Sequence, residues 1–148
     1  SFDEKTSARR ESGQKGKDEI KMKSGARGYR LPTEAEWEWA ARGGSKSKGY
    51  TYAGSNDLNA VGWFNGNSGE KTHPVGLKQP NEIGIYDMSG NVSEWCEDLL
   101  SSTSSLRRMR GGTWTHNAEC AAVGRKGTNY PDILKPSYGF RLARSSEK

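Results

Sequence analysis

The segment Tyr29-Arg-Leu-Pro-Thr-Glu-Ala-Glu-Trp-Glu-Trp-Ala-Ala-Arg42 carries a complete set of instructions for one helix. Thr33 and Glu36 form a capping box: the Thr33 hydroxyl accepts the Glu36 amide N–H, and the Glu36 carboxylate reaches back to the N–H of Thr33. The helix is predicted over Glu34 to Arg42, because Gly43 and Gly44 follow and glycine enters a left-handed C-terminal cap without steric cost. Trp37, Ala40 and Ala41 share one face at i, i+3, i+4 spacing and should pack inward, while Trp39 points elsewhere and is expected to close a second cluster.

Upstream of this helix the composition changes. Residues 1–30 hold nine Lys/Arg against five Asp/Glu, which leaves fourteen against thirteen in the rest of the chain, so +4 of the net charge of +5 belongs to the N-terminal stretch. Residues 1–27 are therefore expected to form a polar, basic, mobile segment. No aromatic is interleaved with its charges as a stacking platform for nucleic acid requires. Hydrophobic residues make up 31% of the 148, so the single domain expected over 28–148 must build a small core from large aromatics, among them five tryptophans. No apolar run approaches the ~20 residues of a membrane span, and no signal-peptide pattern opens the chain.

Downstream, from Gly49, turn formers such as Gly54-Ser55-Asn56-Asp57 and Asn65-Gly66-Asn67 punctuate short apolar pieces. This region reads as loops held by Tyr52, Trp63, Phe64 and Tyr86. Strands are predicted at Val92–Cys96, Arg108–Trp114, Ala121–Arg125 and Gly139–Arg144, the last alternating apolar and polar residues. That alternation places Phe140 and Leu142 in the core together with Trp114 and Ala122.

Two groups of residues carry chemistry. Asp87 and Glu94 stand seven residues apart around a glycine turn in Asp87-Met-Ser-Gly-Asn-Val-Ser-Glu94 and can converge on one point. Hard oxygen donors of this kind select calcium or magnesium; equally, both carboxylates could accept backbone amides around a metal-free turn. The second group is the aperiodic run Thr113–Tyr138, which mixes Thr, His, Asn, Cys, Ile, Leu, Pro and Tyr with no helical or strand period. Cys96 and Cys120 have neither CxxC nor zinc spacing. Cys96 beside Trp95 reads as a small core residue, His73 as a turn residue, and no Ser/His/Asp set shows a nucleophile motif.

Four segments in order, Tyr29–Arg42, Asn81–Trp95, Arg110-Gly-Gly-Thr-Trp114 and Gly139-Phe-Arg-Leu142, resemble the formylglycine-generating-enzyme (sulfatase-modifying factor) domain, a branch of the C-type lectin fold. The resemblance runs from about residue 28 to 144. It implies an α+β, loop-rich fold with short antiparallel strands, and that the family's usual N-terminal half is absent from this chain: either the chain is a fragment or processed piece, or a second chain or fragment supplies the missing strands. The parent activity uses a cysteine pair after the Gly-Gly motif, where this chain has only Cys120, and an iron enzyme of related fold would need three histidines where only His73 and His116 exist. The family's second calcium site matches Asp87 and Glu94 by side chain and Gly90 and Val92 by carbonyl; its first needs an acidic loop that Asn65–Lys71 does not supply.

Within that family the chain looks most like the variable proteins of diversity-generating retroelements, of the Treponema type, in which adenine-directed mutagenesis diversifies surface positions between Arg-Gly-Gly and Gly-Phe-Arg. The matching variable region is 110–144. The resemblance implies a non-catalytic ligand-binding protein on a bacterial surface or outside the cell, the alternative being an enzyme or enzyme-activating domain of the same family. Its binding positions would be Thr115, His116, Asn117, Glu119, Cys120, Gly127, Thr128, Asn129, Tyr130, Ile133, Leu134, Lys135, Pro136, Ser137 and Tyr138. All but Glu119 and Lys135 are reachable by changing the adenines of an AAC codon. Tyr130 and Tyr138 would be the anchors, since tyrosine offers large contact area at low entropy cost.

Overall fold

The computed structural model describes residues 28–145; the expectation of a basic arm at 1–27 lies outside the described residues. Helix α1 spans Glu34–Ala41 with both capping-box bonds present, Glu36 N–H to Thr33 Oγ1 at 3.2 Å and Thr33 N–H to Glu36 Oε2 at 2.9 Å. It ends as predicted, Gly43 standing at φ 90°. Trp37 and Ala41 are buried at 1% and 0% exposure, whereas Trp39 is 61% exposed and closes no cluster, its ring lying over Gly44.

Four short strands follow: β1 (Ser93–Leu99), β2 (Arg107–Arg110), β3 (Gly127–Asn129) and β4 (Tyr138–Gly139). They form one sheet in the order β3-β2-β1-β4. β1–β2 and β2–β3 pair antiparallel, while the β1–β4 pairing of Ser93 with Tyr138 and Glu94 with Gly139 is parallel. Glu94 faces Arg110 and Trp95 faces Met109, with a bulge before Leu99. β2 stops at Arg110 because Gly111 and Gly112 take φ of 96° and 72°. A Cβ at Gly112 would lie 2.7 Å from the Cys120 carbonyl oxygen, so only glycine allows that approach.

The strand expected at Ala121–Arg125 is not formed. Ala118–Ala121 is a 3-10 turn, and beyond it Val123 donates its N–H to the Thr51 carbonyl (2.9 Å) while Arg125 turns back onto Ala122. Ala121 and Val123 are buried all the same, so their apolar character records burial under irregular backbone. The Gly139–Arg144 strand is reduced to β4 and one bridge between Ala143 and Arg30.

The core has two parts. Trp37 and Ala41 of α1 and Cys96 of β1 pack in one cluster with Ala53, Met88 and Val123 from the loops. Leu58, Val61 and Ala121 form the second part, flanked by Tyr52 and Phe64. Leu58 and Val61 belong to a single-turn helix, α2 (Leu58–Val61), capped by the Asp57 carboxylate in a region the sequence marked only as loop. No helix among the described residues is long and apolar enough to cross a membrane.

Candidate ligand-binding face

The run between the buried Arg110-Gly-Gly-Thr113 and the half-buried Arg141 is held from beneath and left open above. Trp114 donates its N–H to the Asn91 carbonyl at 2.9 Å, and the His116 carbonyl accepts the Asn65 amide at 3.0 Å, which pins Thr113–His116 to the central loops. Of the fifteen positions, Thr115, His116, Asn117, Glu119, Gly127, Thr128, Tyr130, Ile133, Leu134, Lys135 and Pro136 are exposed, and Cys120, Asn129 and Tyr138 are half-buried. Ser137 is buried at 9%, because its carbonyl accepts the Ser93 amide (2.9 Å) and draws it under the sheet edge. The positions form two stretches on different supports: residues 115–120 around the 3-10 turn, and residues 127–138 between β3 and β4.

The second stretch encloses an open groove of about 310 Å³ lined by Trp95, Ile133, Leu134, Lys135, Pro136, Tyr138, Gly139 and Phe140. Trp95 and Tyr138 meet edge-to-face, ring centroids 5.7 Å apart at 79°. The Tyr138 hydroxyl accepts the Asn129 side-chain amide at 2.6 Å, which fixes the ring, and the Lys135 ammonium lies 5.6 Å from its centroid. Trp95 was not among the sequence candidates, although strand alternation with the buried Glu94 and Cys96 puts it on the opposite, groove side of β1.

Phe140 and Leu142, expected in the core, are 65% and 57% exposed. The alternation exists with its phase inverted: Arg141 turns inward. Its Nε donates to Glu94 Oε2 (2.6 Å) and its Nη2 to Glu94 Oε1 (2.7 Å) and to the Tyr86 and Asp87 carbonyls (3.2 and 3.1 Å). A carboxylate only 5% exposed needs a counter-charge, and a bidentate guanidinium supplies it. Trp114 and Ala122, also expected in the core, are half-buried.

This pair bears on the divalent ion expected at Asp87, Gly90, Val92 and Glu94 through Glu94 alone. Glu94 Oε2 also accepts the Trp37 indole N–H at 2.6 Å, so both oxygens are bonded and the cation between Asp87 and Glu94 is Arg141. Asp87 Oδ2 accepts the Gly76 amide at 2.7 Å, while its Oδ1 is buried without a partner. The Gly90 amide is bonded to the Gly111 carbonyl (2.6 Å), and the Val92 side chain packs on Gly139. Glu94 is neutralised by Arg141 and Asp87 is amide-bonded through one oxygen, so the turn stands without an ion, with Asp87 Oδ1 as its one open carboxylate oxygen.

Cys96 is fully buried in the Trp37 cluster, and burial pushes its thiol up to about 12, so it holds no thiolate at neutral pH. Cys120 is half-buried in the 3-10 turn, and both thiols are free. His73 stacks on Trp63 with centroids 3.7 Å apart and bonds the Ser68 carbonyl, a turn-fixing role, while His116 is exposed. Among the described residues no three His, Cys, Asp or Glu side chains gather as a metal site.

Comparison with known proteins places this geometry. The family described as the sulfatase-modifying factor enzyme 1-like domain matches residues 3–146, a longer span than the motifs at 28–144. The chaperone protein LppX of Paenibacillus barcinonensis is 41% identical over 147 residues, 85% of this chain and 52% of the relative. The formylglycine-generating enzyme of Streptomyces coelicolor is 35% identical (81% of this chain, 48% of the relative). The inactive C-alpha-formylglycine-generating enzyme 2 of Bos taurus is also 35% identical (79% and 44%). Among solved structures, Treponema denticola variable protein 1 superimposes with a TM-score of 0.71 at 40% identity, covering 80% of this chain and 48% of that one. The chain thus spans about half the length of the curated relatives it matches. With the capped helix, the curled sheet and the inward Arg141 all inside the matched span, the chain belongs to the sulfatase-modifying factor enzyme 1-like family, on its C-type-lectin-like fold.

Proposed function

We propose that this chain is a non-catalytic ligand-binding member of its family, a variable protein of the diversity-generating retroelement type. The observation that carries the reading is the exposure of eleven of the fifteen positions between 115 and 138 over a backbone tied to buried residues. Recognition normally sits on loops displayed by such a rigid frame. Similarity to Treponema denticola variable protein 1 supports the same reading. Formylglycine-generating enzymes are relatives too. Against an enzyme stands the chemistry of the thiols, since Cys96 is buried and protonated and Cys120 has no second cysteine beside it in the chain to share a copper ion or exchange a disulfide.

The exposed Tyr29 and Trp39, at 70% and 61%, support a further part of this reading: a second polypeptide segment, corresponding to the half of the relatives outside the match, completes the domain. Display on a bacterial surface follows from the resemblance.

Two measurements test the proposal. Incubation with a Cys-x-Pro-x-Arg peptide, copper and reductant should give no aldehyde by mass spectrometry; turnover lost in Cys120→Ser would replace this reading with the enzymatic one. Sequencing the 3′ coding end across a bacterial population should find substitutions concentrated at adenines within codons 115–138, and a uniform scatter would remove the diversification.

A further inference from the structure

The groove between β3 and β4 has chemistry specific enough to name its occupant, on the footing of the ligand-binding reading above. Its walls are apolar or aromatic, and the one charged lining group is Lys135. Among the described residues Lys135 has no salt-bridge partner, and its ammonium rests over the Tyr138 ring. Leu134, Phe140 and Ile133 stand 92%, 65% and 39% exposed around the rim. Water against so much clustered apolar surface is unfavourable, so a partner that covers it is favoured. The floor is rigid, because Tyr138 is fixed by Asn129 and braced edge-to-face on Trp95.

We infer that the groove takes an aromatic side chain of a partner protein, flanked in that partner by a carboxylate that pairs with Lys135. A cavity of about 310 Å³ has room for an indole or phenyl ring, and the edge-to-face pair offers a third ring a face or an edge to pack on. Lys135 is already poised by the Tyr138 face, and a carboxylate arriving there meets a cation with no acidic competitor lining the groove. Electrostatic complementarity of this kind selects partners more than it adds affinity.

The probe is the blocked pentapeptide Gly-Glu-Trp-Glu-Gly, titrated into the isotope-labelled chain and followed by two-dimensional NMR, with Gly-Glu-Ala-Glu-Gly and Gly-Lys-Trp-Lys-Gly as controls. Saturable shifts at Ile133, Leu134, Phe140 and the Trp95 indole are expected, with a dissociation constant on the order of millimolar for a single anchor. Leu134→Asp should weaken binding at least about tenfold by placing a charge in the apolar wall; at 92% exposure this change leaves the fold intact, which an unchanged melting curve checks. Lys135→Gln should weaken it about two- to fivefold and remove its salt dependence.

Equal binding of the alanine peptide, equal binding of the lysine peptide, or shifts that map elsewhere would each overturn the assignment. If the pentapeptide fails while a ligand selected from a displayed library is lost on replacing Thr115, His116 and Tyr130, the assignment is overturned and the wider ligand-binding reading stands. If the pentapeptide binds and no selected ligand depends on those positions, the groove assignment stands and the wider reading falls.

Discussion

Arg141 shows how a single side chain settles a site. Its guanidinium neutralises a carboxylate that is buried at the contact of α1 and β1, with Trp37 as the third partner. Truncating one member of such a pair leaves the other charge uncompensated, so Arg141→Met should cost about 3 kcal/mol in urea unfolding, and the added change Glu94→Gln should recover part of it. EDTA should leave the melting temperature unchanged; a drop restored by calcium would show that an ion displaces Arg141. At Cys96 burial raises the thiol to about 12 in the folded state. The sign follows: stability is fully present below the unfolded thiol value near 9 and is lost as pH rises toward 12. Ellman's reagent should label Cys120 in the native protein and reach Cys96 only on unfolding.

At the scale of elements, α1 is held at both ends. Its first turn donates the Glu34 amide to Asp98 of β1 (2.5 Å), and its acidic face meets Arg110 of β2, which is 1% exposed and pairs with Glu38 while donating to the Val123 and Arg125 carbonyls. Arg110 thus ties helix, sheet and the irregular 123–125 segment together. Arg110→Ala should destabilise by about 3–5 kcal/mol, and Lys should not rescue it, since one ammonium cannot reproduce the fork. At the helix start, bonds from Arg30 first and the Thr33 amide hold the Glu36 carboxyl down at about 2. Its contribution is present above the usual carboxylate value near 4.5 and is lost as pH falls toward 2. Thr33→Ala should cost about 1 kcal/mol, and Glu36→Gln should flatten the acid limb of the stability curve; an unaltered limb would assign it to other carboxylates.

At the scale of the whole molecule, support and display are separate. The buried residues lie under α1, β1 and the central loops, whereas positions 115–136 are mostly exposed. Replacing Thr115, His116, Asn117, Thr128, Tyr130 and Leu134 together by alanine should therefore shift stability little, about 0.5 kcal/mol or less per site. A cooperative loss of folding in that variant would show that the region is structural.

The amino-acid sequence by itself determined what depends on neighbours a few residues apart: the Thr33–Glu36 cap, the Trp37–Ala41 inward face and the Gly43 stop. It also determined the family, because long ordered motifs such as Asn81–Trp95 lie inside the span 3–146 that matches it. Only the tertiary structure decided which phase of Gly139–Arg144 faces inward, since period 2 marks two faces without saying which one meets a buried carboxylate. The same holds for the 3-10 turn at Ala118–Ala121, for α2, and for Trp95 in the groove wall. In a loop-rich chain such features are set by long-range contacts: Arg141 reaches Glu94 across 47 positions and Arg110 reaches Glu38 across 72, distances over which local periodicity carries no information.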